Sequence, residues 1–216
     1  MLVRFHKAPV EAGAIFFPPE PLWPKLQREP KAIEICPAVQ DFSQRTFSIR
    51  APFTFRLVNT GNDKEPEIRL DQGRSSISFT KLKRLLSLNP QSDWRTPLAP
   101  ILQVETPYFF SSDSPVHMIQ RHPYHLIGRD VPFRVVEGGF RIDMWKRPLA
   151  WAVEWIRPDE EIFVHRGDPW FDVTFFPPSE TGLKLEEAPF DEVIEKQSLS
   201  ARHVTNYVKG TKRFIL

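Results

Sequence analysis

The stretch SPVHMIQRHPYHLIGRD, residues 114–130, sets His117, His122 and His125 close together, with His165 farther on. Imidazole is both a common metal ligand and the side chain best suited to move protons near neutral pH. His122 and His125 stand at His-x-x-His spacing and are the candidate metal pair. Pro123 lies between them and breaks the regular helix that would turn both rings to one side. No carboxylate or thiol follows at a recognised ligand spacing. The expectation is that these histidines serve a loop or a partner surface, with no metal and no other cofactor.

Nucleophilic chemistry leaves fewer traces. A Ser/His/Asp triad is assembled in space, so the linear order leaves it open. No Gly-x-Ser-x-Gly elbow occurs, however, and there is no P-loop or GxGxxG. Cys36 is the one cysteine, so no disulfide can form within the chain. It precedes Pro37 in no activating motif and reads as a buried thiol. The acidic run Asp159-Glu160-Glu161 beside Pro158 reads as a solvated turn. Trp94-Arg95, Trp145-Lys146-Arg147 and Trp151 could stack on bases beside a cation. Yet 29 Lys+Arg nearly balance 27 Asp+Glu, so nucleic acid is not an expected partner.

Arg166-Gly167-Asp168-Pro169 interrupts two apolar stretches, IFVH and WFDVTFF. Gly167 supplies backbone freedom and Pro169 fixes its own φ, so Gly167 and Asp168 are read as the heart of a turn. An integrin-type ligand would need a protruding extracellular loop. The start, MLVRFHKAPVEAG, has no secretory apolar region of proper length. No run of about 18 apolar residues offers a membrane helix. Secretion by a signal peptide is therefore not expected.

The elements that must position these residues are mostly strands. The 216 residues hold 22 prolines but only 9 glycines, with 18 Phe and 6 Trp. That composition signals fixed turns and edges in an aromatic-rich fold. Residues 1–37 read as an extended proline-rich arm. Its Phe16, Phe17 and Trp23 are too apolar to leave in water and are the candidate docking residues, on their own domain or on a neighbour. The arm is expected to be dispensable for the folding of the rest.

From Thr46 to Leu57 the alternation is strict, with Phe47, Ile49, Phe53, Phe55 and Leu57 on one side, as in a half-buried antiparallel strand. Pro52 marks an edge or bulge. Thr60-Gly61-Asn62-Asp63 reads as a turn, and 67–70 and 76–80 as two short strands. Residues 81–88 allow a turn or two of helix, ended by Asn89-Pro90. Strand character returns at 101–110. The stretch 131–136 leads through Gly138-Gly139 into FRIDMW as a hairpin or bulge. Residues 149–156 are apolar on nearly both faces, as in the middle of a two-layer β structure. A C-terminal helix is expected within 186–208, with Asp191 and Glu192 in its first turn.

The stretch EGGFRIDMWKRPLAWAVEWIRPDEEIFVHRGDPWFDVTFF resembles the hallmark segment of an uncharacterised protein family of tailed bacteriophages, of the marine and cyanobacterial type. ICPAVQDFSQRTFSIRAPFTFRL resembles an upstream segment of the same family. Together they span about Ile35 to Phe176. A remoter resemblance is to the β-clip layout of dUTP pyrophosphatases and dCTP deaminases. Gly139, Ile142 and Asp143 would correspond to that family's Gly-x-Ile-Asp strand, and Ile162, Gly167 and Asp168 to its later Gly-Asp strand. It would make Asp143 the candidate catalytic carboxylate. Phe140-Arg141 intervene before Ile142, the Gln after Gly-Asp is missing, and Arg74-Ser75-Ser76 lies too far upstream for the phosphate motif.

The resulting expectation is a mainly β protein: a two-layer antiparallel β-sandwich or β-clip-like domain at 38–180, an arm at 1–37 and a helical segment at 181–216. The expected function is that of a non-enzymatic phage structural or accessory protein. It would act through contacts with other phage proteins or with itself, away from membranes, in the host cytoplasm during infection or in the virion. The alternative is a small-molecule or nucleotide-handling enzyme on the β-clip scaffold.

Overall fold

The computed structural model describes residues 1–9, 14–22, 36–61, 67–96, 98–145, 147–177 and 182–200. The protein is mainly β, built from several antiparallel sheets with a helix at the C-terminal end, and it is sandwich-like.

The alternating run at 46–57 forms two strands, β3 (Thr46–Arg50) and β4 (Phe55–Asn59). The apolar segments around RGDP form β13 (Ile162–Val164) and β14 (Pro169–Phe176). These four make one antiparallel ribbon. Arg50 pairs with Pro169 before a corner, and Phe55 pairs with Val164 after it. Residues 51–54 and 165–168 span the corner on the two strands without a slip in register. Trp170 is the extra residue of a bulge between Pro169 and Phe171. A bent ribbon of this kind carries two strands from one sheet into the next.

On one side of the corner lies a five-stranded sheet. It contains β2 (Glu20–Pro21), β3, β14, β9 (His117–Arg121) and, at its far edge, β11 (Gly138–Arg141). On the other side β13 and β4 join β5 (Ile68–Leu70). A four-stranded sheet has the order β10 (Phe133–Val135), β12 (Ala150–Trp155), β7 (Ile101–Glu105) and β6 (Leu86–Leu88). In the last sheet β1 (Leu2–Lys7) lies between β8 (Tyr108–Ser111) and β15 (Lys184–Glu187), parallel to the latter.

Aromatic side chains join the sheets. Trp151 of β12 lies 5.5 Å from Trp170 and 5.7 Å from Phe55, ring centre to ring centre, at the corner. Its indole N–H donates to the Trp170 carbonyl at 3.1 Å. Phe110 of β8 meets Phe175 of β14 at 5.4 Å. Trp151, Val153 and Trp155 are fully buried, so β12 is the central apolar strand that its sequence implies.

Several expected elements differ. Residues 76–80 are not a strand. Ser78 caps the helix α2 (Phe79–Leu85), its side chain accepting from the Lys81 N–H. A helix α1 (Pro37–Gln44) starts with Pro37 at its first position, where the missing N–H costs nothing. Cys36 just before it is half-buried rather than enclosed. The run 101–110 breaks at Thr106-Pro107 into β7 and β8, which belong to different sheets. So do β10 and β11, and Gly138-Gly139 open β11 instead of turning a hairpin. The strand β3 is buried on both faces, Thr46 and Ser48 included. Of the expected turn at 60–63, Asn62 and Asp63 lie outside the described residues. The Asn59 side chain accepts from the Gly61 and Glu67 N–H groups across it. The C-terminal helix α3 (Glu192–Ser200) starts where the acidic pair Asp191-Glu192 implies, but the expected helical segment at 181–216 holds a strand first, because Lys184–Glu187 pairs with β1.

Candidate functional site

The RGDP segment is a structural corner. Gly167 has φ +88°, and the Asp168 N–H donates to the His165 carbonyl at 3.0 Å, the signature of a type II turn. The Asp168 carboxylate accepts from the His165 N–H at 2.9 Å. The Ala51 N–H donates to the Asp168 carbonyl, and the Gly167 N–H to the Ala51 carbonyl, both at 2.9 Å. Arg50 donates to the Gly167 carbonyl at 2.6 Å and forks onto both oxygens of Glu20 at 2.6 and 2.9 Å. The main-chain groups of Gly167 and Asp168 and the Asp168 carboxylate are thus engaged inside the chain.

The arm lies along this corner. The Ile15 N–H donates to the Pro52 carbonyl and the Leu22 N–H to the Thr46 carbonyl. Leu22 is fully buried. Phe16 packs 4.9 Å from Tyr108 and 6.2 Å from Phe5. Phe17 is half-buried beside Gly167, and its carbonyl accepts from the Tyr108 hydroxyl. Trp23 lies outside the described residues. Phe16 and Phe17 therefore pack on their own domain, and β1 belongs to a sheet.

Asp143 follows β11 at the end of the five-stranded sheet, where the Ile142 N–H donates to the Val116 carbonyl. Arg141 donates to both its carboxylate oxygens, at 3.1 and 2.5 Å. Burial would raise this carboxyl, but the guanidinium outweighs it and holds it below the usual range. Asp143 sits beyond the Phe176 end of β14, whereas Asp168 precedes the Pro169 end. An eight-residue strand separates them, roughly 25 Å at the ordinary rise of an extended chain. The two segments likened to β-clip motifs are not brought to one place.

The histidines are likewise apart in role. The His122 ring lies against Phe133 at 6.1 Å, and its Nδ1 accepts from the Val135 N–H at 3.4 Å. Burial first, then Arg134, lowers its pKa, against the pull of Glu137. His125 belongs to a single helical turn at Tyr124–Leu126, with its ring edge-on to Tyr124. Among the described residues, no three His, Cys, Asp or Glu side chains gather as a metal ion would need.

Two clefts carry features that no local sequence pattern announces. One, of about 540 Å³, has Leu98, Ala99, Ile156 and Pro158 among its lining, along with Asn59, Thr96, Arg157 and Asp159. Leu98 is 56% exposed and Ile156 37%. The Trp155 N–H donates to the Pro100 carbonyl at 2.9 Å and ties the Leu98–Pro100 segment to the end of β12. Arg157 is already engaged with Asp130 at 2.8 Å and Glu160 at 2.6 Å. The other cleft holds His6 and Ser111, 2.8 Å apart.

Comparison of the chain with models of known protein families gave no match, and neither did comparison with curated proteins. Function must be argued from these sites. Among the described residues, no helix is long and apolar enough to cross a membrane.

Proposed function

We propose that this protein works by contact with another protein chain, as a structural or accessory component of a tailed bacteriophage. The observation that carries the reading is the cleft between Leu98 and Ile156. Two large exposed apolar side chains line it together with Ala99 and Pro158, and Asn59, Thr96, Arg157 and Asp159 supply polar groups to the same lining. Exposed apolar side chains mixed with polar ones are what protein contact surfaces present. Arg157 is the cation in that lining, and it already pairs with both Asp130 and Glu160. The fitting occupant is an apolar side chain presented by a partner surface. The resemblance of residues 35–176 to a phage family supports the biological setting.

Mass spectrometry of purified virions and of complexes drawn from infected cells tests the proposal. Light scattering on the pure protein separates self-association from a different partner. A chain that stays monomeric at high concentration, is missing from virions and leaves infected cells alone would overturn it.

A further inference from the structure

β1 and β8 pair antiparallel, with Arg4 opposite Ser111 and His6 opposite Phe109. Alternation along the strands then puts Arg4, His6 and Ser111 on one face of the sheet. Val3, Phe5 and Phe110 point to the other face, into the core. The C-terminal segment covers the first face. Pro189, Asp191, Ile194 and Gln197 close a cleft of about 280 Å³ over the pair. Asp191 is fixed there by accepting from the Val193 and Ile194 N–H groups at the start of α3.

The hydrogen bonds define the protonation of the neutral ring. His6 Nδ1 lies 2.8 Å from the Pro189 carbonyl oxygen, which can only accept. Nδ1 therefore carries the proton and Nε2 the free electron pair. Ser111 Oγ is 2.8 Å from Nε2, so its hydroxyl donates to it. Burial lowers the pKa of His6 and favours the neutral ring; Arg4 acts the same way, while the Pro189 carbonyl and Asp191 oppose. A hydroxyl donating to a neutral imidazole, itself oriented through its other nitrogen, is the arrangement that activates a serine. Here a main-chain carbonyl takes the orienting place of the usual carboxylate.

We propose that Ser111 and His6 form a nucleophile–base dyad that hydrolyses small carboxylic esters in this cleft. This activity is independent of the contact surface at Leu98 and Ile156. Ser111 Oγ adds to the ester carbonyl carbon as its proton passes to His6 Nε2. The carbon–oxygen bond to the alcohol then breaks, and the alcohol leaves with that proton. Water, giving a proton to Nε2, attacks the acyl carbon. The carbon–Oγ bond breaks, Ser111 recovers the proton, and a carboxylic acid is released. Arg4 lines the cleft, held by Asp113 at 2.8 Å, and is the cation available to the oxygen of the tetrahedral intermediate. The cleft lies at the small end of ligand pockets, so short acyl groups fit it best.

The test uses the full chain with p-nitrophenyl acetate and a fluorophosphonate probe that modifies activated serines. The expected result is covalent labelling of Ser111, located by peptide mass spectrometry, and nitrophenolate release that has reached its plateau by pH 7. Ser111→Ala and His6→Asn should each lower that release at least tenfold, while Ser114→Ala keeps the wild-type rate. Should either dyad variant fail to fold, the labelling site in the wild-type chain still decides. No label at Ser111, or release unchanged in the folded variants, would overturn the dyad and leave His6 as a latch between β1, β8 and the C-terminal segment.

Discussion

The Tyr108 hydroxyl donates to the main-chain carbonyl of Phe17 at 2.8 Å, with the Arg50 carbonyl at 3.2 Å. One side chain from β8 thus holds both the arm and the ribbon corner. Its ring is fully buried against Phe16 and Phe171. Burial pushes its pKa far up, so it stays a donor at any ordinary pH. Tyr108→Phe keeps the ring and removes the donor. The expected cost is about 1–3 kcal/mol, the usual range for a carbonyl left unpaired in the interior. Thermal melting measures the cost, and limited proteolysis should show earlier cleavage around residues 14–22. An unchanged melting temperature would mean that water or a rearranged backbone takes over the carbonyl.

Removing the arm is expected to do more than cut an appendage. Deletion of residues 1–30 takes away β1, the middle strand of its sheet, together with the buried Val3, Phe5 and Leu22. The edges of β8 and β15 would be left unpaired. The truncated chain should lose cooperative melting and bind a hydrophobic dye. A sharp two-state transition in the truncated protein would contradict this.

The corner makes a sharper comparison. A Cβ on Gly167 would meet nothing closer than the Phe17 ring at 4.0 Å. Its φ of +88° is the obstacle, not space. Gly167→Val should therefore cost on the order of 1–3 kcal/mol in backbone strain. Gly167→Asn should cost clearly less, because asparagine tolerates the left-handed region. Asp168→Ala removes the acceptor for the His165 N–H and should cost roughly 0.5–2 kcal/mol, as for other side-chain caps. Equal chemical-denaturation midpoints for the valine and asparagine variants would rule out the strain account.

What was legible in the sequence was the part written locally. Gly167 and Pro169 announced a turn. The alternation around Trp151 announced a central strand, and Asp191-Glu192 announced a helix start. What was hidden depends on partners far along the chain. Ser-Ile-Ser-Phe alternates like a strand, but the Ser78 cap hands it to a helix. Leu2–Lys7 looked like part of a loose arm until β8 and β15 came to its two sides. The turn at 165–168 was legible, but not that its flanking strands each pair with a different part of residues 46–59. His6 and Ser111 are 105 residues apart, so only the pairing of β1 with β8 could reveal them.

Acid should weaken the fold in a defined window. His6 and His122 have pKa values lowered mainly by burial. The unfolded chain therefore binds more protons than the native state once pH falls through about 6.5, the unperturbed imidazole value. Their contribution is complete above that value and is lost as pH drops toward the lower native values. His6→Asn removes one of the two titrations, so its stability should vary less between pH 7.5 and 5. Parallel curves for wild type and variant would show that His6 does not carry this dependence. Asp71 and Glu67, lowered by their hydrogen bonds to Arg56 and Arg69, act in the separate window below about pH 4.5.

The contact surface yields the last expectation. Leu98 is 56% exposed and Ile156 37%, so a charge at either position can reach water. Leu98→Asp and Ile156→Asp should each change stability by no more than about 0.5 kcal/mol, the range of ordinary surface substitutions. Each replaces an apolar side chain of the proposed contact by a carboxylate, which must lose its hydration when the partner docks. Recovery of the complex from infected cells, or self-association of the pure protein, should therefore fall at least tenfold with melting unchanged. Ser92→Asp lies on an exposed turn outside the cleft and should leave assembly intact. Assembly that survives both charged variants would move the contact elsewhere on the surface. A loss of melting temperature in either would show that the side chain supports the fold itself.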